Sequence, residues 1–281
     1  MRSLKGKVVV ITGAASGIGA ALATAMAQKG ARLMLADIDA PGLDRVASAL
    51  RSDGCECYSM VTDTGNEAAI HGLARETHAR LGNTDVLINN AGVALVSPVE
   101  RLQTADAHWL MNINFWGVVH GCQAFLPMMR AQPEALLVNI SSIFSMVSMP
   151  TQSIYNASKA AVRGFSDALR EELRESSVGV LCVHPGGIAT NIANKARVTD
   201  SSMVADTDQE LRDHFDKLAR TTAAQAAQVI IDAIEAGKTR VLIGADAKFM
   251  DFLYRLVPSR SSAWLTGIGN RMRRRASGKP A

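Results

Sequence analysis

The 281-residue sequence holds only four cysteines, eight prolines and 5% aromatic residues. Cys55, Cys57, Cys122 and Cys182 are too few for a dense disulfide framework and fall at no metal-ligand spacing. They read as reduced thiols in a cytoplasmic protein, and no metal is expected. No uncharged apolar run is long enough to cross a bilayer, and the start, Met1-Arg2-Ser3-Leu4-Lys5-Gly6-Lys7, lacks the apolar region of a signal peptide. Repeats, low-complexity tracts and linker-like stretches are missing too. These absences point away from a stapled secreted domain, a membrane-spanning bundle and a repeat array.

Charge is present but unevenly spread. The whole chain carries +4, yet from Lys248 onward eight cations face Asp251 alone, a net +7 that leaves −3 for the first 247 residues. The basic balance belongs to the tail, so it implies no nucleic-acid surface on the main domain.

With 48% hydrophobic residues there is ample material for a large core. Apolar β-branched runs predict seven strands at 7–12, 32–37, 57–61, 86–89, 135–140, 178–184 and 240–243. Helical spacing predicts helices over 17–29, 41–51, 66–81, 104–130, 153–175 and 223–236. Continuous apolar strands alternating with helices imply an α/β fold. Its parallel sheet is covered on both faces, a doubly wound Rossmann-type domain with its site at the carboxyl ends of the strands. This domain spans 1–244, with a substrate loop at about 187–221, and an amphipathic, basic helical extension covers 245–281.

The turn after the first strand reads Thr12-Gly13-Ala14-Ala15-Ser16-Gly17-Ile18-Gly19. Glycines there let the backbone turn tightly and approach a pyrophosphate, whose charge meets free N–H groups at a helix N-terminus. Asp37 ends the second strand 20 residues after Gly17, where a carboxylate can accept the adenosine ribose hydroxyls or simply cap a turn. It would repel a 2′-phosphate, and neither Ser16 nor Ile38 is a cation, so NAD is expected over NADP. Further along, Tyr155 and Lys159 lie four apart on a predicted helix and share a face. A nearby ammonium is expected to lower the phenol pKa and make Tyr155 a usable acid/base.

Together these residues resemble the short-chain dehydrogenases/reductases. The resemblance runs from about residue 5 to 244 and rests on motifs in order. They are the Gly13/Gly17/Gly19 loop, Asp63-Thr64, Asn89-Asn90-Ala91-Gly92, Asn114-Phe115-Trp116-Gly117, Ser142, Tyr155 with Lys159, and Pro185-Gly186. It implies that Gly13, Ser16, Gly17, Ile18, Gly19, Asp37, Asp63, Thr64, Asn90, Ala91 and Gly92 hold the cofactor's adenosine and phosphates. By the same resemblance Tyr155, Lys159, Pro185, Gly186, Ile188 and Thr190 place the nicotinamide. Asn114, Ser142, Tyr155 and Lys159 would form the catalytic group, with Asn114 supporting a water chain. Helix pairs 104–130 and 153–175 would build a homodimer or homotetramer.

The expected activity is hydride transfer between a nicotinamide cofactor and an apolar secondary alcohol or ketone. The segments 93–98 and 143–149, with Leu95, Phe144 and Met149, contain no cation to clamp a carboxylate. Alternatives are an NADPH-dependent carbonyl reductase and a non-catalytic dinucleotide-binding scaffold. In the tail, Phe249, Phe252, Leu256, Trp264 and Leu265 beside Arg271 and Arg273-Arg274-Arg275 suit either packing on the domain or peripheral contact with an anionic membrane.

Overall fold

The computed structural model describes residues 1, 3–190, 192, 195–199, 220–262 and 267. Most of the 187–221 substrate loop (191, 193–194 and 200–219) and the apolar and basic residues from 264 onward lie outside the described residues, apart from Gly267. Each of the seven predicted strands forms: β1 (Val8–Thr12), β2 (Arg32–Asp37), β3 (Cys57–Val61), β4 (Val86–Asn89), β5 (Ala135–Ile140), β6 (Val178–Pro185) and β7 (Arg240–Ile243). All pair in parallel in the spatial order β3-β2-β1-β4-β5-β6-β7. The order reverses beside β1, which opens a crevice between the ends of β1 and β4.

Alternation along each strand assigns the two faces. Val9, Ile11, Leu33, Leu35, Val86, Ile88, Val138, Leu181 and Ile243 pack with α1 (Gly17–Gln28), α2 (Ala40–Ser52) and a later helix, Ala223–Glu235. Val8, Val10, Met34, Leu87, Leu137 and Val180 point to the other face. There they meet α3 (Glu67–Leu81), Gly117–Arg130 and Ser153–Glu172. Each fully buried Leu or Ile contributes roughly 1.5–3 kcal/mol relative to exposure.

The spacing predicts one helix over 104–130, and the structure divides it. Helix α4 (Thr104–Met111) passes through a π turn, Asn112–Trp116, into α5 (Gly117–Arg130). The helical period survives in the sequence, but the wider turn seats Asn114 fully buried. Helix α6 is Ser153–Glu172, and α7 is Ala223–Glu235, opened by a capping box between Thr222 and Gln225. Two short parallel pairs that the pattern does not announce join Leu95–Val96 to Arg197–Val198 and Ile188–Ala189 to Thr221–Thr222.

The last described helix, α8 (Ala245–Leu256), packs on the domain. Ala247, Met250 and Tyr254 meet Ile143 and Val147. Asp251 accepts hydrogen bonds from Arg240 at 2.6 Å and Arg255 at 3.0 Å. Burial alone would raise its carboxyl pKa, but the two guanidiniums outweigh that and hold it below its ordinary value. Beyond the helix, Ser262 Oγ accepts from the Ser148 N–H at 2.9 Å.

A buried amide network ties sheet to helices. Asn89 Nδ2 donates to Asn139 Oδ1 at 2.9 Å, and Asn139 Nδ2 donates to Ser166 Oγ at 3.0 Å. Helix α5 approaches this network at Gly121, where an added Cβ would stand 2.3 Å from Asn89 Oδ1. We expect Gly121→Ala to cost roughly 1–3 kcal/mol through overpacking. Denaturant unfolding measures this, and an unchanged midpoint would show that the network yields freely.

Candidate active site

At the end of β1 the chain turns through Gly13 (φ +67°) and Gly17 (φ +56°), left-handed conformations that favour glycine. A Cβ on Gly13 would stand 2.8 Å from Ala91 Cα, and one on Gly19 would stand 2.1 Å from the Gly13 carbonyl oxygen. Two neighbours sew the loop to the end of β4. Thr12 Oγ1 accepts from the Asn90 and Ala91 N–H groups at 3.1 Å each, and Asn90 Nδ2 donates to the carbonyls of Thr12 (2.9 Å) and Gly13 (3.1 Å). Ser16 is the N-cap of α1, and its hydroxyl makes no capping bond. A bare helix N-terminus beside a glycine cradle is a ready anion site.

Asp37 accepts the Ala15 N–H at 2.9 Å through Oδ2 and the Asp39 N–H at 2.9 Å through Oδ1. The turn-capping role is thus realised, while each oxygen keeps a lone pair for a further donor. Asp63 holds a tight turn by accepting the Gly65 N–H at 2.9 Å, and Thr64 beside it is 7% exposed. Ile38 and Val61, at the ends of β2 and β3, leave 67% and 56% of their surfaces exposed. Nothing in their own sequence context singles them out; the signal is their position just past a strand end.

The catalytic candidates converge. Ser142 follows β5 and caps the short 3₁₀ turn Ile143–Ser145 by accepting the Phe144 N–H at 3.1 Å. Its side chain also comes close enough to the Tyr155 hydroxyl to oppose the rise in the phenol pKa. Tyr155 lies in the first turn of α6 with its ring edge-on to Phe144, 6.4 Å between centroids. One turn later the Lys159 ammonium sits 5.9 Å from the Tyr155 ring centroid, 3% exposed, and donates to the Ile140 carbonyl at 3.0 Å. Asn114 clamps the segment after β4. Its Oδ1 accepts the Val93 N–H at 2.8 Å, and its Nδ2 donates to the Val93 carbonyl (3.0 Å) and to Ser158 Oγ (3.2 Å). Gly92 lies between them, with Asn114 Oδ1 and Lys159 Nζ at 3.3 and 3.4 Å from where its Cβ would be.

The expected lowering of the Tyr155 pKa is not what the geometry produces. Desolvation raises it above the ordinary phenol value, and the nearby Ser142 side chain only partly offsets this. Tyr155 as a whole is half-buried. Burial also lowers Lys159 to about 8, and its ammonium is directed to the Ile140 carbonyl.

The Pro185-Gly186 segment closes the opposite wall. The Gly186 N–H donates to the Ile243 carbonyl at 2.9 Å, and the Gly187 N–H to Asp246 Oδ2 at 2.6 Å. Ile188 is held by the strand pair with Thr221–Thr222. Thr190 comes back over the glycine loop, its Cγ2 3.2 Å from where a Gly17 Cβ would be. Asp246 and His184 are missed by sequence motifs. Buried His184, driven down to about 4 chiefly by burial, has Nδ1 3.3 Å from the Ser142 carbonyl oxygen and 3.2 Å from Ser145 Oγ.

On the substrate side, Phe144 and Met149 are half-buried, while Leu95 is 2% exposed. Leu95 is therefore built into its strand pair with Arg197. That arginine is already engaged, with its guanidinium 2.7 Å from Asp106 Oδ1 and 3.6 Å from the Trp109 ring centroid. A cleft of about 270 Å³ at the other end of the sheet, beside Gly30, Arg32 and Glu56, contains none of these groups.

The residues present fit a nicotinamide dinucleotide. A cradle that a Cβ would fill and an uncapped helix N-terminus suit the pyrophosphate, two exposed aliphatic side chains suit adenine, and a buried ammonium lies beside a phenol. The short chain dehydrogenase family matches residues 7–201. The oxidoreductase named SadH of Mycobacterium tuberculosis is 40% identical over 262 residues, covering 92% of this chain and 94% of its own. The D-threitol dehydrogenase of Mycolicibacterium smegmatis is 36% identical over 193 residues, covering 69% and 74%. A short chain dehydrogenase/reductase from Burkholderia phymatum, solved in complex with NAD, is 31% identical with a TM-score of 0.83, covering 91% of this chain and 95% of that one. On this fold, this site and these relatives, the chain belongs to the short-chain dehydrogenase family, as an oxidoreductase that binds a nicotinamide dinucleotide.

Proposed function

We propose that the chain interconverts an apolar secondary alcohol and its ketone, with NAD as cofactor and Tyr155 as acid/base. The observation that carries this reading is the convergence of the Ser142 side chain, the Tyr155 phenol and a buried ammonium one helical turn away. When bound, the dinucleotide supplies or accepts the hydride. The substrate oxygen would sit between two hydroxyls. Ser142 donates a hydrogen bond that holds it, and Tyr155 passes a proton to it in reduction or takes one in oxidation. Lys159 would exchange its bond to the Ile140 carbonyl for the nicotinamide ribose hydroxyls, bringing fixed positive charge to the phenol. Asn114 keeps the wall beside Gly92 rigid through Val93.

A pKa raised above the ordinary phenol value keeps Tyr155 protonated at neutral pH in the cofactor-free protein, the form that donates to a ketone. Phenolate absorbance, taken as wild type minus Tyr155→Phe, is expected to appear at higher pH than for an ordinary phenol without cofactor. Onset near neutrality would show that Lys159 dominates burial even then. The same Tyr155→Phe variant is expected to lose turnover by about 10²-fold or more while retaining dinucleotide affinity. Substantial activity would end the acid/base assignment. The turnover assay screens apolar secondary alcohols against tetritols, since a polyol substrate would overturn the apolar class.

Asp37 supports NAD over NADP, because a 2′-phosphate would meet its carboxylate with no cation at Ser16 or Ile38. Wild type is expected to favour NAD in kcat/KM by about 10²-fold, and Asp37→Ala to shrink that ratio at least about tenfold. Equal use of both cofactors by the wild type would reverse the preference.

A homo-oligomer through the α4–α5 and α6 surface completes the reading. Trp116, which closes the π turn before α5, is 46% exposed, and Val99 shortly before α4 is 69% exposed. Trp116→Glu is expected to lower the mass seen by light scattering by one assembly step. An unaltered mass would place the contact elsewhere.

A further inference from the structure

We propose that the outer face of α8 docks on an anionic lipid surface. The helix has two apolar sides. Ala247, Met250 and Tyr254 are spent on packing against Ile143 and Val147. Phe249, Phe252 and Leu256 recur at helical spacing on the other side, 53%, 60% and 62% exposed, and Val257 continues the stripe at 39%. Two phenylalanines and a leucine in one exposed row are more than scattered surface apolar residues provide.

Charge selects the occupant. The acids of α8 are Asp246 and Asp251, and both are engaged within the fold. Asp246 takes the Gly187 N–H, and Asp251 sits 7% exposed between Arg240 and Arg255. No other carboxylate of this helix faces an approaching anionic surface, while Lys248, Arg255 and Arg260 are exposed along and beyond the stripe. From Lys248 to the end the chain carries net +7 by sequence. A second copy meeting this face about a twofold axis would set Lys248, Arg255 and Arg260 against their own copies, and like charges oppose that contact. An anionic bilayer reverses the sign of the same term and takes the aromatic side chains into its headgroup boundary. Among the described residues no helix is long and apolar enough to cross a membrane, so α8 would lie in the interface plane.

The test is sedimentation of the full chain with vesicles of phosphatidylcholine alone and of phosphatidylcholine with phosphatidylserine. Binding is expected only with phosphatidylserine present, weakening as salt rises. The double variant Phe249→Ser/Phe252→Ser changes exposed residues only. It is expected to keep its melting temperature and turnover and to lose roughly 30-fold or more in partitioning. Binding to neither vesicle overturns the proposal. Equal partitioning of the double variant would show that cations alone make the contact, and an assembly dissolved by that variant without vesicle binding would make the face a contact between copies; either result overturns it.

Discussion

The site depends on how closely two loops at the carboxyl end of the sheet can approach. Asn90 reaches back to the Thr12 and Gly13 carbonyls while Thr12 receives the Asn90 and Ala91 N–H groups. Four hydrogen bonds thus satisfy backbone groups that a sharp turn out of a buried strand would strand in low dielectric. The approach tolerates no side chain at Gly13 or Gly19, so the cradle is as much a consequence of sheet packing as of ligand binding. Because the strand order reverses beside β1, the same reversal that opens the crevice brings β4 close enough for the stitching.

A second constraint concerns where charge is permitted. Lys159 is almost fully enclosed, and a carbonyl at 3.0 Å is its hydrogen-bond partner, so its ammonium is held at a cost that lowers it to about 8. The phenol nearby suffers the same desolvation in the opposite sense, and its raised pKa follows. Water loss is the largest cause of both shifts, so each group resists ionising in the cofactor-free site.

Strand positions were legible because parallel strands buried on both faces leave unbroken apolar runs, as in Val8–Thr12 and Ala135–Ile140. The four catalytic candidates were legible through their resemblance and spacing, and the structure places them around one another. The division of 104–130 was not legible, since a π turn changes hydrogen-bond partners without breaking the apolar pattern. Nor could spacing reveal that Asp37 is occupied by the Ala15 and Asp39 N–H groups, or that desolvation outweighs Lys159 at Tyr155. Those outcomes depend on burial and on distant segments. Asp246 and His184 carry no local signature at all, because their partners, Gly187 and Ser142, lie 59 and 42 residues away.

The carboxylate of Asp246 gives the chain's end an architectural meaning. The parallel sheet is complete at Ile243, and a boundary drawn there looks safe for trimming or for fusing another polypeptide. Yet two residues into the next helix lies the acceptor for the Gly187 N–H, and further on Ser262 caps the Ser148 amide. Both walls of the crevice are thus propped from behind by residues that follow the last strand. A carrier domain or purification handle belongs at the amino terminus, where β1 begins on the far side of the sheet from the crevice.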